Sequence, residues 1–390
     1  MVIYYTTGYA GTGKSTALLK KLDSLPEKHT IVLAPTHKAL QRLLSSYSGN
    51  IEFKTIHSLL GLIPSINENA EHINHIDSLS KLDKDIDTYH HIVIDEAGMI
   101  AEDHFLDLVS KLEVIEDDSG IDITMYLYLD PYQLLPVKGR QIQTDSATTT
   151  NLTTQYRSES PDIVELYTKF VRYMQNPNSD LTTPYSENVL KLDITKFKYG
   201  DRMLCYTNEA VGKWNTLIAK HLGVSSIYGG ECVVGSDIAV VNKANKPTLQ
   251  ELCMLYESGG LNLQNSQISK KFVSVSLQQL LDFKQIEWAY INDKLTPIIV
   301  GINEAYKLKK KIMSSCINNR SNFKHLYTFN RAYVVDYTFC STVHKSQGSE
   351  FENVFIDKED IQKSIFNSNY STYARLMYVA ISRAMSKLYI

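Results

Sequence analysis

No apolar run in this 390-residue sequence approaches the ~20 residues needed to cross a bilayer, which excludes a membrane-spanning helix. No basic n-region precedes the glycine-rich stretch that begins near Gly8, so no signal peptide is expected. Cysteine is scarce. Cys205, Cys232, Cys253, Cys316 and Cys340 are odd in number and never spaced as C-x-x-C. That argues against structural zinc or a disulfide framework and fits a reducing cytosol. A surplus of positive charge is also missing, because the formal net charge is −3. Any nucleic-acid site must therefore be a local groove. Internal repeats and low-complexity segments are absent, which excludes solenoids and extended disordered tracts. What remains is 43% apolar and 21% charged, the composition of a soluble globular protein. The length exceeds the usual ceiling for one core, so roughly two to four domains are expected.

Short β-rich runs alternate with helical patterns through the first part of the chain. Residues 2–5, 30–34, 91–95 and 123–129 read as buried strands, and 15–22, 37–47 and 102–112 as helices between them. This alternation marks an α/β fold with a parallel, doubly wound sheet covered on both faces. Residues 63–90 interrupt it with a polar surface excursion rich in Asn, His and Asp. A second α/β pattern begins near residue 151, with a strand at 203–207 and a helix at 209–221. Between 225 and 335, β-like pieces at 271–276 and 297–301 surround one long helical candidate, 304–316. The pattern resumes with strands at 332–335 and 354–356, a helix at 372–384 and a last strand at 388–390. The economical reading is a second α/β lobe with a smaller, partly β module inserted. The K-L-K-K-K run from Lys307 to Lys311 reads as a solvated helix face.

Gly8-Tyr9-Ala10-Gly11-Thr12-Gly13-Lys14-Ser15 fits the phosphate-cradling pattern G-x-x-x-x-G-K-[S/T] between a strand and a helix. In that context Gly8, Ala10, Gly11, Thr12 and Gly13 point backbone N–H groups at phosphate oxygens, and the helix start at Lys14, Ser15 and Thr16 faces the same anion. Lys14 is expected to reach the β- and γ-phosphates of ATP, and the Ser15 hydroxyl to hold Mg²⁺. About 80 residues on, Asp95 and Glu96 end an apolar strand, suited to a metal ligand and a general base. Gln133, in the segment Leu129-Asp130-Pro131-Tyr132-Gln133-Leu134-Leu135-Pro136-Val137, is placed to sense a γ-phosphate or orient a water.

This succession resembles superfamily 1 helicases, most of all the RecD-like branch of superfamily 1B that includes the phage Dda helicase. The likeness starts at the loop from Gly8 to Thr16 and continues in Ala34-Pro35-Thr36-His37-Lys38-Ala39 and Thr55-Ile56-His57-Ser58-Leu59-Leu60-Gly61. Asp95 to Gly98 matches the Walker B box, and Asp130 to Val137 resembles the sensor motif, with Leu129 where the family usually has Gly. Thr153-Thr154-Gln155-Tyr156-Arg157-Ser158 resembles the motif that carries an arginine to the γ-phosphate, and Tyr206-Thr207-Asn208 the opening of the second lobe. Ser341-Thr342-Val343-His344-Lys345-Ser346-Gln347-Gly348-Ser349-Glu350-Phe351 and Tyr378-Val379-Ala380-Ile381-Ser382-Arg383-Ala384 match the last two motifs. The motifs run in family order over nearly the whole chain.

The resemblance implies two RecA-like parallel-sheet motor domains, 1A at 1–62 and 87–150 and 2A at 151–224 and 336–390. It also implies a small inserted hairpin, 1B, at 63–86 and a partly β, SH3-like module, 2B, at 225–335. Lys14, Asp95, Glu96, Gln133, Arg157 and Arg383 become the catalytic set, Ser15 and Asp95 the metal ligands, and Gly348 and Glu350 further nucleotide contacts. An arginine on the γ-phosphoryl group speeds transfer by ~10³–10⁵, or roughly 4–7 kcal/mol of barrier. Arg157 and Arg383 fall in the second lobe or at its border, so ATP is expected between lobes. Pro35, Thr36, His37, Thr55, His57, Ser58, Thr207, Asn208, Thr342 and His344 become nucleic-acid contacts, groups that bond phosphate and sugar without reading bases.

The implied activity is a single-stranded-DNA-stimulated ATPase that moves 5′→3′ and unwinds duplex DNA. Its expected partners are single strands, duplex–single-strand junctions and replication or recombination proteins, with a monomeric chain, no membrane, and a bacterial or phage-infected host cytoplasm as the setting the resemblance implies. An RNA-directed helicase, a strand annealer, and a non-translocating nucleotide switch or kinase stay open as alternatives. Val2 begins the first strand, so an upstream adenine-reading glutamine is not expected, and the end soon after Ala384 reads as a bare motor.

Overall fold

The computed structural model describes the chain apart from residues 36, 61–62, 67–71, 76–85, 137–139, 143–147, 157–159, 235–236, 265–267, 269–271 and 319–321. Its contacts separate two units. One is Met1–Asn188 with Gln347–Glu350 and Ser368–Ser386; the other is Val189–Ser346 with Phe351–Asn367 and Lys387–Ile390.

The chain starts with β1 (Val2–Gly8), α1 (Lys14–Leu22), β2 (Thr30–Ala34), α2 (His37–Leu44), β3 (Glu52–Thr55) and α3 (Ile56–Leu59). The hairpin β4 (Ile63–Ile66) and β5 (His72–His75) follows, then β6 (His91–Ile94), α4 (Glu102–Ser119), β7 (Thr124–Leu129), β8 (Thr149–Leu152) and α5 (Pro161–Gln175). Six strands make one parallel sheet in the order β3-β2-β6-β7-β1-β8. Side chains alternate between two cores. Ile31 and Leu33 of β2 join Ile92 and Ile94 of β6 under Phe105, Leu108 and Leu112 of α4. Val32 and Val93 face the other way, against Leu18 and Leu22 of α1 and Leu43 of α2. A strand covered on both faces needs an unbroken apolar run, and T-I-V-L-A supplies one. Helix α4 runs past residue 112 and stops at Gly120, whose left-handed φ of 68° lets its N–H close on Glu116. The expected inserted hairpin is present as β4 against β5, with Ile63 opposite His75.

The second stretch comprises β9 (Val189–Leu190), β10 (Arg202–Cys205), α6 (Asn208–His221), β11 (Glu231–Val234), β12 (Asp237–Lys243), α7 (Leu249–Ser258) and α8 (Val273–Asp282). It goes on with β13 (Glu287–Ile291), β14 (Lys294–Val300), α9 (Ile302–Asn318), α10 (Phe323–Phe329), β15 (Tyr333–Tyr337) and β16 (Cys340–Thr342). The chain finishes with β17 (Phe351–Ile356), α11 (Lys358–Asn367), α12 (Tyr370–Ile381) and β18 (Ala384–Tyr389). A second sheet has the order β16-β10-β17-β18-β9. The inserted β module is a closed barrel of β11 to β15. Cys232, Val234, Val241, Ile291, Ile298 and Val335 share its core. Residues 273–276 are not β: they open α8, because Leu277, Leu280 and Leu281 continue at helical spacing and are buried. The 3.6-residue period overrides the β preference of Val273 and Val275.

Helices α5 and α12 pack together through Tyr167 against Tyr378 and Phe170 against Tyr373. Both helices therefore belong to the unit of the first sheet, whereas the motif order places them in the second lobe. Among the described residues no helix is long and apolar enough to cross a membrane.

In the second unit, Asp360 is buried and ties α11 to the turn after β10. Its carboxylate accepts the N–H groups of Tyr206 and Thr207 at 2.8 Å each, the Thr207 hydroxyl at 2.9 Å and Lys363 Nζ at 2.8 Å. Burial alone would raise this carboxyl, but the hydrogen bonds outweigh it and hold it below its ordinary value. Asp360→Ala should destabilise this unit by about 2–3 kcal/mol, since buried donors lose their acceptor. Both tryptophans, Trp214 and Trp288, lie in this unit, so the urea midpoint followed by their fluorescence reads it. The depressed pKa makes the contribution full above about pH 4 and lost as pH falls further, so wild type and variant should converge in acid.

Candidate active site

Parallel strands present their C-terminal ends on one edge, where ligands of open α/β sheets are taken. In the first sheet that edge carries the glycine loop after β1, Asp95 and Glu96 after β6, and Asp130 after β7. Gly8 leaves no room for a side chain: a Cβ there would meet the Thr12 hydroxyl and lie 2.9 Å from the Leu152 carbonyl oxygen. Gly13 precedes α1 with φ of 81°, a left-handed turn that aims the first helical N–H groups into the loop.

A cavity of about 310 Å³ opens at this loop. Ala10, Gly11, Gly13, Lys14, Ser15 and Thr16 line it from the loop and α1. Asp95, Glu96 and Gln133 line it from the ends of β6 and β7, and Glu350 and Arg383 come from the far end of the sequence. Thr12 is buried behind the loop and donates to the Tyr9 carbonyl at 2.9 Å. Gly348 presents its carbonyl to Arg42. Arg157 and Thr36 lie outside the described residues.

Charge is distributed unevenly around this space. Lys14 Nζ donates to the Gly8 and Tyr9 carbonyls at 2.8 Å each and lies 3.8 Å from Asp130 Oδ2. Asp95 is pushed up to about 7 by burial and by the neighbouring Glu96, against the pull of Arg42 and Lys14. Glu96 takes a left-handed φ of 51°, its N–H held by Asp95 Oδ1 at 3.0 Å. Such a backbone costs roughly 1–3 kcal/mol and persists only where its surroundings dictate it. Glu96 Oε2 is buried with no hydrogen-bond partner among the described residues.

Helix α12 is locked to the same loops. The Tyr378 hydroxyl accepts the Ala10 N–H at 2.7 Å and donates to Asp130 Oδ2 at 2.6 Å. Burial, then the Asp130 charge, holds that phenol well above its ordinary pKa, so it remains a donor. Arg375 donates to the Pro131 carbonyl at 2.9 Å and to that of Gln133. Two residues beyond the helix, the buried Arg383 donates to Val379 O at 3.1 Å, Ser349 O at 3.3 Å and Ser382 Oγ at 2.9 Å. Gln155 reaches the Ala10 carbonyl at 2.8 Å, and the Tyr156 N–H donates to the Gly11 carbonyl at 2.8 Å, leaving the tyrosine ring largely exposed at the cavity.

The loop candidates for strand contact sit at strand ends in each unit. Ala34 pairs with Thr55, so Pro35 and the start of α2 at His37 lie beside Thr55 and the α3 residues His57 and Ser58. Cys205 pairs with Thr342, which brings Thr207 and Asn208 beside Thr342 and the turn at His344. Thr55 caps α3 by accepting the Ser58 N–H, and Thr207 caps α6 by accepting that of Ala210. Reading motifs did not single out Arg42, Tyr156, Arg375 or Tyr378. Tyr156 and Tyr378 stood inside quoted motifs, and Arg42 and Arg375 carry no local signal.

The descriptions of matched family models are an AAA domain over residues 2–174 and a UvrD-like helicase C-terminal domain over residues 337–390. An uncharacterised protein of Acanthamoeba polyphaga mimivirus is 34% identical over 154 residues, 35% of this chain and 29% of its own length. The chain thus matches under a third of that relative. Among solved structures, Bacteroides Pif1 bound to single-stranded DNA aligns with a TM-score of 0.53 at 16% identity, covering 100% of this chain and 88% of that one. Pif1 helicase from Candida albicans aligns with a TM-score of 0.50 at 16% identity, covering 100% and 90%. At this identity the likeness is one of fold.

Tyr378→Phe removes a hydroxyl that serves two buried groups, and orphaning them costs about 1–3 kcal/mol. The variant should melt earlier and bind a fluorescent adenine nucleotide more weakly; unchanged values in a thermal-shift and binding series would remove the phenol from the loop's support.

Proposed function

We propose that the chain is a superfamily 1B DNA helicase, an ATP-driven motor that moves 5′→3′ along single-stranded DNA and unwinds duplex ahead of it; the motif order and the UvrD-like helicase C-terminal match support this reading. The observation that carries this reading is the meeting of Lys14, Asp95, Glu96, Gln133 and Arg383 around one cavity at the sheet edge. Lys14 binds the β- and γ-phosphates, and Arg383 stabilises charge that builds on the γ-phosphoryl oxygens. Glu96, with its free buried oxygen, takes the proton of the attacking water, and Gln133 orients that water. Gly8, Gly11, Gly13 and Thr16 shape the cradle, Gly348 and Glu350 close it, and Arg157 is a second arginine for the same phosphate.

Ser15 and Asp95 both face the cavity with hard oxygen ligands, which suits Mg²⁺. Among the described residues no cluster of three or more His, Cys, Asp or Glu fits a metal. A site of one or two protein oxygens agrees with an ion that takes its other ligands from phosphate and water. When bound there it offsets phosphate charge.

Pro35, Thr36, His37, Thr55, His57 and Ser58 in one unit, and Thr207, Asn208, Thr342 and His344 in the other, take the phosphodiester backbone. The two strand-end clusters support a motor with two gripping sites, 1A and 2A, the hairpin region 63–86 as a duplex-splitting pin and 225–335 as the 2B module. Bacteroides Pif1 bound to single-stranded DNA supports such a strand as ligand. Direction of travel is proposed from the resemblance to superfamily 1B motifs, as is a cytoplasmic role beside replication or recombination proteins.

Lys14→Ala should lose ATP turnover by orders of magnitude while keeping the fold intact; retained strand-stimulated turnover would refute the assignment. Duplexes with a 5′ tail should be unwound and those with a 3′ tail should not, and the opposite preference would overturn the polarity. Strand affinity should fall steeply between low and moderate salt, since phosphate contacts release counterions.

A further inference from the structure

Arg42 lies on the two-turn helix α2 and reaches the nucleotide cavity without belonging to any motif. One terminal nitrogen donates to Ser15 Oγ at 2.5 Å, and the other to the Gly348 carbonyl at 3.2 Å. Its charge also pulls on Asp95, more strongly than that of Lys14 does. The guanidinium therefore bonds one of the two residues that the proposed function gives to Mg²⁺, Ser15, and acts on the other, Asp95, through its charge in the same cavity. Two cations directed at one hydroxyl oxygen repel each other, and the cavity walls screen them less than bulk water would. Ser15 cannot serve both at full strength.

We propose that Arg42 is a resident cation of the metal corner, neutralising phosphate charge when no divalent ion is bound and giving up Ser15 when Mg²⁺ arrives. Arg42 and Mg²⁺ are then alternative partners of the Ser15 oxygen. Arg42 thereby becomes a phosphate-binding residue for metal-free nucleotide. Its second bond carries the exchange to Gly348, next to Ser349, whose carbonyl holds Arg383. The inference rests on the nucleotide reading of the cavity.

The test is equilibrium binding of mant-ADP, followed by fluorescence, in EDTA and in millimolar Mg²⁺. Wild type, Arg42→Ala, Arg42→Lys and Lys14→Ala are compared. Arg42→Ala should weaken binding about tenfold in EDTA, the value of one charge-assisted hydrogen bond, and less than about threefold with Mg²⁺. Arg42→Lys should recover most of the loss. Equal loss in both buffers, or none in either, overturns the competition. If the alanine variant does not fold, Arg42→Gln keeps much of the stem and reads the same ratio. Lys14→Ala separates the two claims. Unimpaired mant-ADP binding by that variant sinks the nucleotide reading, whereas its loss beside an unchanged Arg42 ratio sinks only the competition.

Discussion

The Tyr378 hydroxyl, shared between the Ala10 N–H and the Asp130 carboxylate, is the interaction on which the site's geometry hangs. All three groups are buried, so each needs a partner, and the phenol is both acceptor and donor. Through it a helix from the end of the sequence is registered against the first loop. Arg375, three residues earlier on the same face, fixes the sensor turn to that helix through two carbonyls. With α12 held at two points, Arg383 has one place to go, and it lines the cavity opened by the glycine loop.

The same arrangement shows why functional groups gather at strand ends. A parallel sheet sends every strand toward one edge, and each loop there starts from a rigid, buried support. In both sheets a hydroxyl side chain stands at a strand end, Thr55 on β3 beside β2 and Thr342 on β16 beside β10. Some hydroxyls near these ends already have structural duties. Thr207 donates to Asp360 and accepts from Ala210, so its bonding capacity is largely used within its own unit. Thr207 therefore positions the turn at Asn208, whereas Asn208 and His344 are themselves exposed.

The parallel sheet was legible because strands buried on both faces are written as unbroken apolar runs, as in Ile31-Val32-Leu33 and Ile92-Val93-Ile94. The phosphate loop was legible because its chemistry demands fixed residue types at fixed short spacing. The barrel was much less so. Its strands are separated by helices and half-solvated, and residues 273–276 carry β-branched side chains into a helix. Arg42 was illegible for another reason. Nothing in its neighbours distinguishes it from a surface arginine on an amphipathic helix, and only the fold sets it against Ser15.

Local chemistry in the sequence by itself determined the phosphate cradle, the acidic pair after β6, the alternation that makes a parallel sheet, and the family motifs in their order. Those features depend on residues within a few positions of one another, where spacing dictates geometry. Tertiary structure alone decided that α12 packs on α5 and the glycine loop, that Tyr378 bridges Ala10 and Asp130, and that Arg42 and Arg383 line one cavity. Partners hundreds of residues apart are chosen by which buried polar groups can satisfy each other once the chain is folded, and no local pattern encodes that.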